Sequence, residues 1–88
     1  MYDYSQQRQA LFTDEGQRKF LRVRSACLVL LEKAGAFRLQ EAWDASNVTG
    51  DSWETLACFD RLEELGEIVK VHSGDATQYA IYRKGRVL

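Results

Sequence analysis

Residues 51–66 constrain the fold most, because they predict one helix with a defined beginning and end. Asp51 suits the N-cap position, and Glu54 follows three residues later in the capping-box spacing. Gly66 suits the left-handed position just past the last turn. Small or apolar side chains recur at intervals of three and four, which predicts one buried stripe. The stripe consists of Thr55, Cys58, Phe59, Leu62 and Leu65.

A longer helix is predicted from Thr13, its N-cap, to Ala34, with Gly35 ending it. Its buried stripe is expected to comprise Phe20, Val23, Cys27, Leu30, Leu31 and Ala34. Leu21 and Leu28 form a second apolar edge outside this stripe, and they could cover an N-terminal arm or a second subunit.

The remaining chain divides into short segments around these two helices. Residues 1–12 show no clear period and are interpreted as an arm, either frayed or docked through Tyr2, Tyr4, Leu11 and Phe12. Residues 39–46 predict a short helix whose core-facing side chains include Trp43, and Val48 is expected to be buried in the turn after it. Residues 67–72 and 77–83 predict a β-hairpin around a turn at 73–76. The expected organisation is an arm at 1–12, one domain at 13–84 and a tail at 85–88.

The composition is that of one small globular domain of 88 residues. No long apolar run and no signal-peptide pattern is present, so we expect a cytoplasmic protein without a membrane span. Cys27 and Cys58 fall on predicted core faces and are expected to be buried, reduced thiols. Together with the single His72 they do not match the ligand spacing of a zinc site, so no metal is predicted.

Charge is strongly segregated along the chain although the net charge is only -1. Residues 39–69 contain eight acidic residues and one basic residue, Arg61, whereas the segments on either side are net basic. Such asymmetry bears on the choice of partner rather than on the fold.

Catalytic patterns are weak. His72 stands alone, without a nucleophile or carboxylate placed beside it by a motif. Glu63 and Glu64 are adjacent on a helix and point about 100° apart, so they do not form an acid–base pair. The glycines are scattered at predicted caps and turns. We therefore expect no enzymatic activity and no cofactor.

The order of a helix, a short helix, a turn, a helix and a hairpin resembles that of winged helix-turn-helix domains. The most specific match is Phe59-Asp-Arg-Leu62-Glu-Glu-Leu-Gly66-Glu-Ile68, which is similar to the end of the recognition helix and the start of the wing in small bacterial and phage regulators. The segments 39–48 and 79–82 are similar to the preceding helix-turn and to the second wing strand. The resemblance implies an α+β fold, a three-helix winged helix-turn-helix with a C-terminal two-stranded β-hairpin wing.

The same resemblance implies that the helix at 51–65 enters the major groove of DNA and that the wing, residues 72–77, touches the backbone or minor groove. By position, the base-reading residues would be Ser52, Trp53, Leu56 and Ala57. The family usually places hydrogen-bonding or cationic side chains there. This chain departs from that pattern with an indole, an isobutyl group and a methyl group.

Our first hypothesis is an interaction module in which the outer side of this helix binds a protein partner or a second subunit. An apolar centre surrounded by carboxylates is the anatomy of a protein-binding hot spot. The predicted contact residues are Ser52, Trp53, Leu56, Ala57, Asp60 and Glu64. The alternative for Trp53 is a place in the core, which would remove the centre of this surface.

The second hypothesis is a DNA-binding transcriptional regulator that uses basic residues of the first helix and the wing, although the acidic third helix disfavours it. Its predicted contacts are Arg18, Lys19, Arg22, Lys70, Arg83 and Lys84. A homodimer is compatible with both hypotheses, and its predicted contacts are Leu21, Leu28, Tyr4 and Phe12.

Overall fold

A computed structural model describes residues 4–50, 52–72 and 80–86. These residues form four helices and three strands in a mixed α+β fold. The elements are α1 (Tyr4–Ala10), α2 (Asp14–Ala34), β1 (Ala36–Arg38), α3 (Leu39–Ser46), α4 (Ser52–Glu64), β2 (Ile68–His72) and β3 (Ile81–Lys84). The strands make one antiparallel sheet in the order β1-β3-β2.

Local capping chemistry sets the helix ends, as the sequence predicts. The Thr13 hydroxyl accepts a hydrogen bond from the Gly16 amide at 3.1 Å at the start of α2. Gly35 ends α2 at a φ of 78°, and Gly66 follows α4 at a φ of 76°. Both angles lie in the left-handed region that glycine adopts without strain. The predicted cap at Asp51 lies outside the described residues.

Two elements were not predicted, α1 and β1. Residues 4–10 are helical rather than an irregular arm. Residues 36–38 pair antiparallel with β3, with Phe37 opposite Tyr82, so the sheet has three strands rather than the two expected. A strand of three residues is too short to show a period in the sequence. It forms because its backbone N–H and C=O groups pair with those of β3.

The hairpin strands β2 and β3 pair antiparallel, as expected, with Lys70 opposite Tyr82. The register shifts between Lys70 and His72, which marks a bulge near the end of β2. The described part of β3 begins at Ile81. The predicted turn at 73–76 and the first residues of the predicted second strand, 77–79, lie outside the described residues.

An aromatic cluster joins α4 to the inner face of the sheet. The ring of Phe59 lies 5.5 Å from that of Tyr82, and Phe37 stacks on Tyr82 at 5.6 Å, measured between centroids. Phe59 and Tyr82 are fully buried, as are Val23 of α2 and Leu62 of α4. Such ring pairs contribute about 0.5–1.5 kcal/mol each beyond their buried area. The core therefore lies between α2, α4 and the sheet.

Both cysteines are buried and free, as predicted. Burial raises the pKa of Cys27 to about 12 and that of Cys58 to about 11. Both side chains therefore stay as neutral thiols at neutral pH and act as small apolar core groups.

Two residues that were predicted to lie in buried helical stripes are exposed in the structure. Leu65 is 38% exposed and Ala34 is exposed, because each stands where its helix ends and the core no longer covers it. Leu30, Leu31, Trp43 and Val48 are partly buried and pack against the core from its margin. None of the helices in the described ranges is both long enough and apolar enough to span a membrane.

Candidate functional site

The α4 outer face, defined here as Trp53, Leu56, Asp60 and Glu64, is the surface that the sequence nominates for partner binding. Helix α1 packs on α4 and contacts three of these four side chains. The ring of Tyr4 lies 5.6 Å from that of Trp53, between centroids, at an interplanar angle of 45°. Trp53 still keeps 39% of its surface exposed. It is therefore neither a core residue nor a bare surface residue.

Two polar contacts continue this packing along α4. The Tyr4 hydroxyl donates a hydrogen bond to the Asp60 carboxylate, and the Arg8 guanidinium forms an ion pair with the Glu64 carboxylate. Burial, reinforced by the adjacent Asp60 carboxylate, raises the pKa of Tyr4 to about 12. The hydrogen bond to Glu64 raises the pKa of Arg8 above its ordinary value. The α4 outer face thus holds an aromatic hydroxyl and a cation on adjacent turns of a helix.

The joint between α1 and α2 fixes the C-terminal end of α1. Leu11 is 4% exposed and belongs to the core. The Thr13 hydroxyl donates to the Ala10 carbonyl at 2.6 Å, and the Gln17 amide donates to the Leu11 carbonyl at 2.7 Å. Gly16 is required at this joint, because a Cβ there would lie 2.1 Å from the Ala10 carbonyl oxygen. The helix is therefore tied at its C-terminal end as well as along its contact with α4.

The placement of Ala57 on the outer side was wrong, because this residue is only 1% exposed. With Leu11 and Cys58 it lines a small cavity of about 120 Å³ near the α1–α2 joint. Helix α1 and the segment after it cover this side of α4, which sequence periodicity alone leaves open. Leu56 is half-buried. The side chain of Ser52 lies outside the described part of the chain.

The acidic charge of residues 39–69 is offset inside the molecule. Besides Arg8 and Arg61 near Glu64, three cations from α2 and β2 reach these carboxylates. These pairs are Lys19–Glu54 at 3.8 Å, Lys70–Glu63 at 4.0 Å and Arg24–Glu67, with a hydrogen bond of 2.6 Å. Ion pairs with nearby cations therefore offset four of the eight carboxylates of this segment, those of Glu54, Glu63, Glu64 and Glu67, which reduces the repulsion that α4 would exert on a polyanion.

The six predicted nucleic-acid contacts fall into two groups. Lys19 and Lys70 form the ion pairs just described, and Lys70 also lies 5.9 Å from the centroid of the Tyr82 ring. The other four side chains are exposed and pair with no carboxylate within the described ranges. They are Arg18, Arg22, Arg83 and Lys84.

The four predicted dimer contacts are also divided. Leu21 is 54% exposed and Leu28 is 42% exposed on α2. Phe12 is 56% exposed, with the Arg61 guanidinium 5.3 Å from its ring centroid. Tyr4 is engaged within the chain by Trp53 and Asp60. Three of the four predicted dimer contacts, Phe12, Leu21 and Leu28, are therefore exposed in the described part of the chain, two of them on α2.

A buried polar pair lies beside the aromatic cluster. One carboxylate oxygen of Glu63 and the hydroxyl of Tyr82 are buried without a hydrogen-bond partner in the described structure. Burial raises the pKa of Glu63 despite the opposing charge of Lys70, and burial also raises that of Tyr82. The described residues bring together no group of three or more His, Cys, Asp and Glu side chains able to hold a metal ion.

The arrangement of the α4 outer face suits recognition of another helix, since its polar groups follow the helical repeat and are met by side chains of α1. Sequence periodicity identified all four of its residues but did not predict that α1 packs on them. Comparisons with models of protein families, with curated proteins and with solved structures found no match.

Proposed function

We propose that this chain is a non-enzymatic winged-helix interaction module whose α4 outer face binds an amphipathic helix of a partner protein. The observation that carries the proposal is the way α1 occupies this face, with Tyr4 against Trp53 and Asp60 and with Arg8 on Glu64. The partner helix would carry an aromatic residue and a cation four positions apart.

The order of the elements supports the winged-helix part of the proposal. Helix α3 ends at Asn47, which has a φ of 57°, and a short segment leads from it to α4. Strands β2 and β3 follow α4 as an antiparallel pair. Strand β1 lies between α2 and α3 in the sequence and pairs with β3 in the same sheet. Free, buried thiols support a reducing compartment such as the cytoplasm for this module.

The spacing of charge on α4 matches that on the proposed ligand. Asp60 and Glu64 are four residues apart and therefore lie on one side of the helix. Tyr4 and Arg8 have the same separation on α1, so each can meet one carboxylate. Hydrogen bonds to charged groups are shorter and stronger than neutral ones, and Trp53 supplies an apolar anchor. These features favour a cationic aromatic helix over a polyanion as the ligand of this face.

Helix α1 acts in this proposal as a built-in competitor. A short tether holds α1 near the face at an effective concentration of about millimolar, so a partner must displace it. The apparent affinity for the partner therefore increases with the fraction of molecules in which α1 has left the face. The face therefore alternates between its own helix and the helix of the partner.

The direct test uses a fluorescent peptide of residues 1–12 and the full chain carrying Tyr4→Ala and Arg8→Ala together. We expect the peptide to bind this opened chain at least about tenfold more tightly than the wild type, because the internal competitor has been weakened. Adding Trp53→Ala to the opened chain should abolish binding, whereas adding Arg22→Ala, which removes an exposed cation of α2, should leave it unchanged. Fluorescence anisotropy reports the affinity, and circular dichroism verifies folding.

If the opened chain is folded and does not bind the peptide at millimolar concentration, the α4 outer face is not a helix-binding surface. Equal binding by the Trp53→Ala form would show that the peptide binds elsewhere. Either result would overturn the proposal.

A DNA-binding regulator is the second candidate, supported by the exposed cations Arg18, Arg22, Arg83 and Lys84. Helix α4 would have to lose α1 before entering a groove, so these contacts would come from α2 and β3. Neutralising four phosphates predicts a slope of about −4 for the logarithm of affinity against the logarithm of salt concentration. A gel-shift series from low to moderate salt measures this slope, and absence of binding at low salt would remove the candidate.

A further inference from the structure

We propose that the chain forms an antiparallel homodimer in which α2 of one copy packs on α2 of a second copy about a two-fold axis at Ser25. The surface involved is the α2 outer stripe, defined here as Arg18, Leu21, Ser25, Leu28 and Glu32. It lies on the side of α2 away from the core residues, and the inference does not depend on the proposed function of α4.

The α2 outer stripe carries apolar surface that the described chain leaves open. Leu21 is 54% exposed, Leu28 is 42% exposed and the adjacent Val29 is 48% exposed. A groove of about 510 Å³ adjoins the stripe between α2 and α3, and its lining includes Leu21, Ser25 and Val29. Concentration of large exposed apolar side chains on one helix is typical of an interaction surface.

The stripe is self-complementary about its centre, Ser25, with opposite charges at its two ends and a leucine on each side. Arg18 and Glu32 each stand seven residues from Ser25, on opposite sides. Leu21 stands four residues before Ser25, and Leu28 stands three residues after it. Rotation about an axis at Ser25 therefore places Arg18 against Glu32 of the second copy and Leu21 against its Val29, next to Leu28. This is the self-complementary pairing that a two-fold interface requires.

Charge selects the antiparallel arrangement and identifies the occupant as a second copy. Arg18 and Glu32 are exposed, and neither pairs with an opposite charge within the described ranges. In a parallel pair of α2 helices Arg18 would face Arg18 and Glu32 would face Glu32. The antiparallel pair instead forms two contacts between opposite charges. The small side chain of Ser25 at the crossing allows the helix axes to approach to about 8 Å.

The size of the stripe predicts a reversible dimer. Residues 18 and 32 are about 21 Å apart along the axis of α2. One helix per subunit over that length falls at the small end of specific protein interfaces. We therefore expect a monomer–dimer equilibrium that shifts with protein concentration.

Sedimentation velocity over a concentration series, using the full chain, tests the pairing directly. Arg18→Glu should repel Glu32 of its own second copy, and Glu32→Arg should repel Arg18, so each variant alone should dissociate at least about tenfold more readily than the wild type. An equimolar mixture of the two variants should restore the dimer, because both contacts of the mixed pair are again opposite in charge. A wild type that remains monomeric up to millimolar concentration, or a mixture that is no more dimeric than its components, overturns the inference.

Disulfide trapping tests the position of the axis independently of affinity. Under mild oxidation Ser25→Cys should give a covalent dimer, since the two copies of this position face each other within bonding distance. Lys33→Cys is the matched control on the same exposed helix, because the proposed register separates its two copies by about 24 Å. The natural cysteines are buried, and their raised pKa values make them unreactive. Equal trapping of both variants, or none for Ser25→Cys, would contradict the register.

Discussion

The hydroxyl of Tyr4 donates a hydrogen bond to the carboxylate of Asp60, joining α1 to α4 across 56 residues of sequence. The same tyrosine ring packs on Trp53, so one side chain closes over both the apolar and the acidic part of the α4 outer face. The residues that the sequence nominates for a partner are thus in contact with the chain's own N-terminal helix. If α1 is a removable cover, changes at its contacts with α4 should release it without unfolding the domain.

Arg8→Glu should release α1 from α4 without unfolding the domain. The new carboxylate would face Glu64, replacing attraction with repulsion at a pair that is partly exposed. Because exposed pairs contribute little, we expect a loss of at most about 1 kcal/mol in unfolding free energy. Amide hydrogen exchange should show lost protection in residues 4–10 and unchanged protection in β3. Arg22→Glu, at an exposed cation without a partner in the described chain, is the control; the same loss in that variant would show that net charge alone is responsible.

Alkaline pH should weaken the docking of α1 through Tyr4. Its pKa is raised from 10.0 to about 12 in the folded chain, so the folded state holds the proton more tightly than the unfolded state. Stability contributed by this group is therefore present below pH 10 and declines as the pH rises towards 12. Denaturant unfolding at pH 9 and pH 11 should show a larger loss for the wild type than for Tyr4→Phe, which keeps the ring but not the ionisable hydroxyl. Equal losses would mean that Tyr4 is not buried against α4 beside Asp60 in solution.

Gly16→Ala should destabilise the chain although alanine favours helices. In an open helix the change stabilises by about 1 kcal/mol. At this position the added methyl group would lie 2.1 Å from the Ala10 carbonyl oxygen, so the end of α1 must move. Thermal unfolding should show a lower midpoint, and Arg22→Ala on the exposed side of α2 should change it little. A midpoint above that of the wild type would show that α1 is not seated against α2 as described.

Glu63→Gln should increase stability at neutral pH. Burial raises the pKa of Glu63 above 4.5, so the folded state binds its proton more tightly than the unfolded state. This carboxyl group therefore stabilises the fold below its unfolded pKa, and that contribution is lost as the pH rises through its folded pKa. The unfolding free energy of the variant, relative to that of the wild type, should therefore increase between pH 4 and pH 7. Glu15→Gln, at a carboxylate that is 79% exposed and belongs to neither proposed interface, is the control, and a parallel profile for both variants would contradict the burial of Glu63.

The elements that were predicted correctly from the sequence are those whose signals are local. Thr13 and Gly35 bound α2 because a hydroxyl beside the first turn and a left-handed glycine after the last turn act within a few residues. Phe59 and Leu62 were placed in the core because the helical repeat alone decides which residues share a side. The candidate site was identified to the same extent, since Trp53, Asp60 and Glu64 share one side of α4.

The tertiary structure decided which surfaces remain open. Periodicity gives the angle of Ala57 around α4, but only the packing of α1 and Leu11 buries it. Strand β1 exists because its backbone groups pair with β3, which lies far away in the sequence. The carboxylates of α4 were counted as a net charge of −7 with their neighbours, yet Arg8, Lys19 and Lys70 meet them in space.

By itself, the sequence determined where α2, α3 and α4 begin and end and which of their sides face a core, because capping and hydrophobic spacing act within one or two turns. Only the tertiary structure decided that α1 covers the α4 outer face and that the α2 outer stripe stays exposed. The physical reason is that coverage and charge pairing depend on contacts between residues distant in sequence, such as Tyr4 with Asp60. No local pattern encodes those contacts.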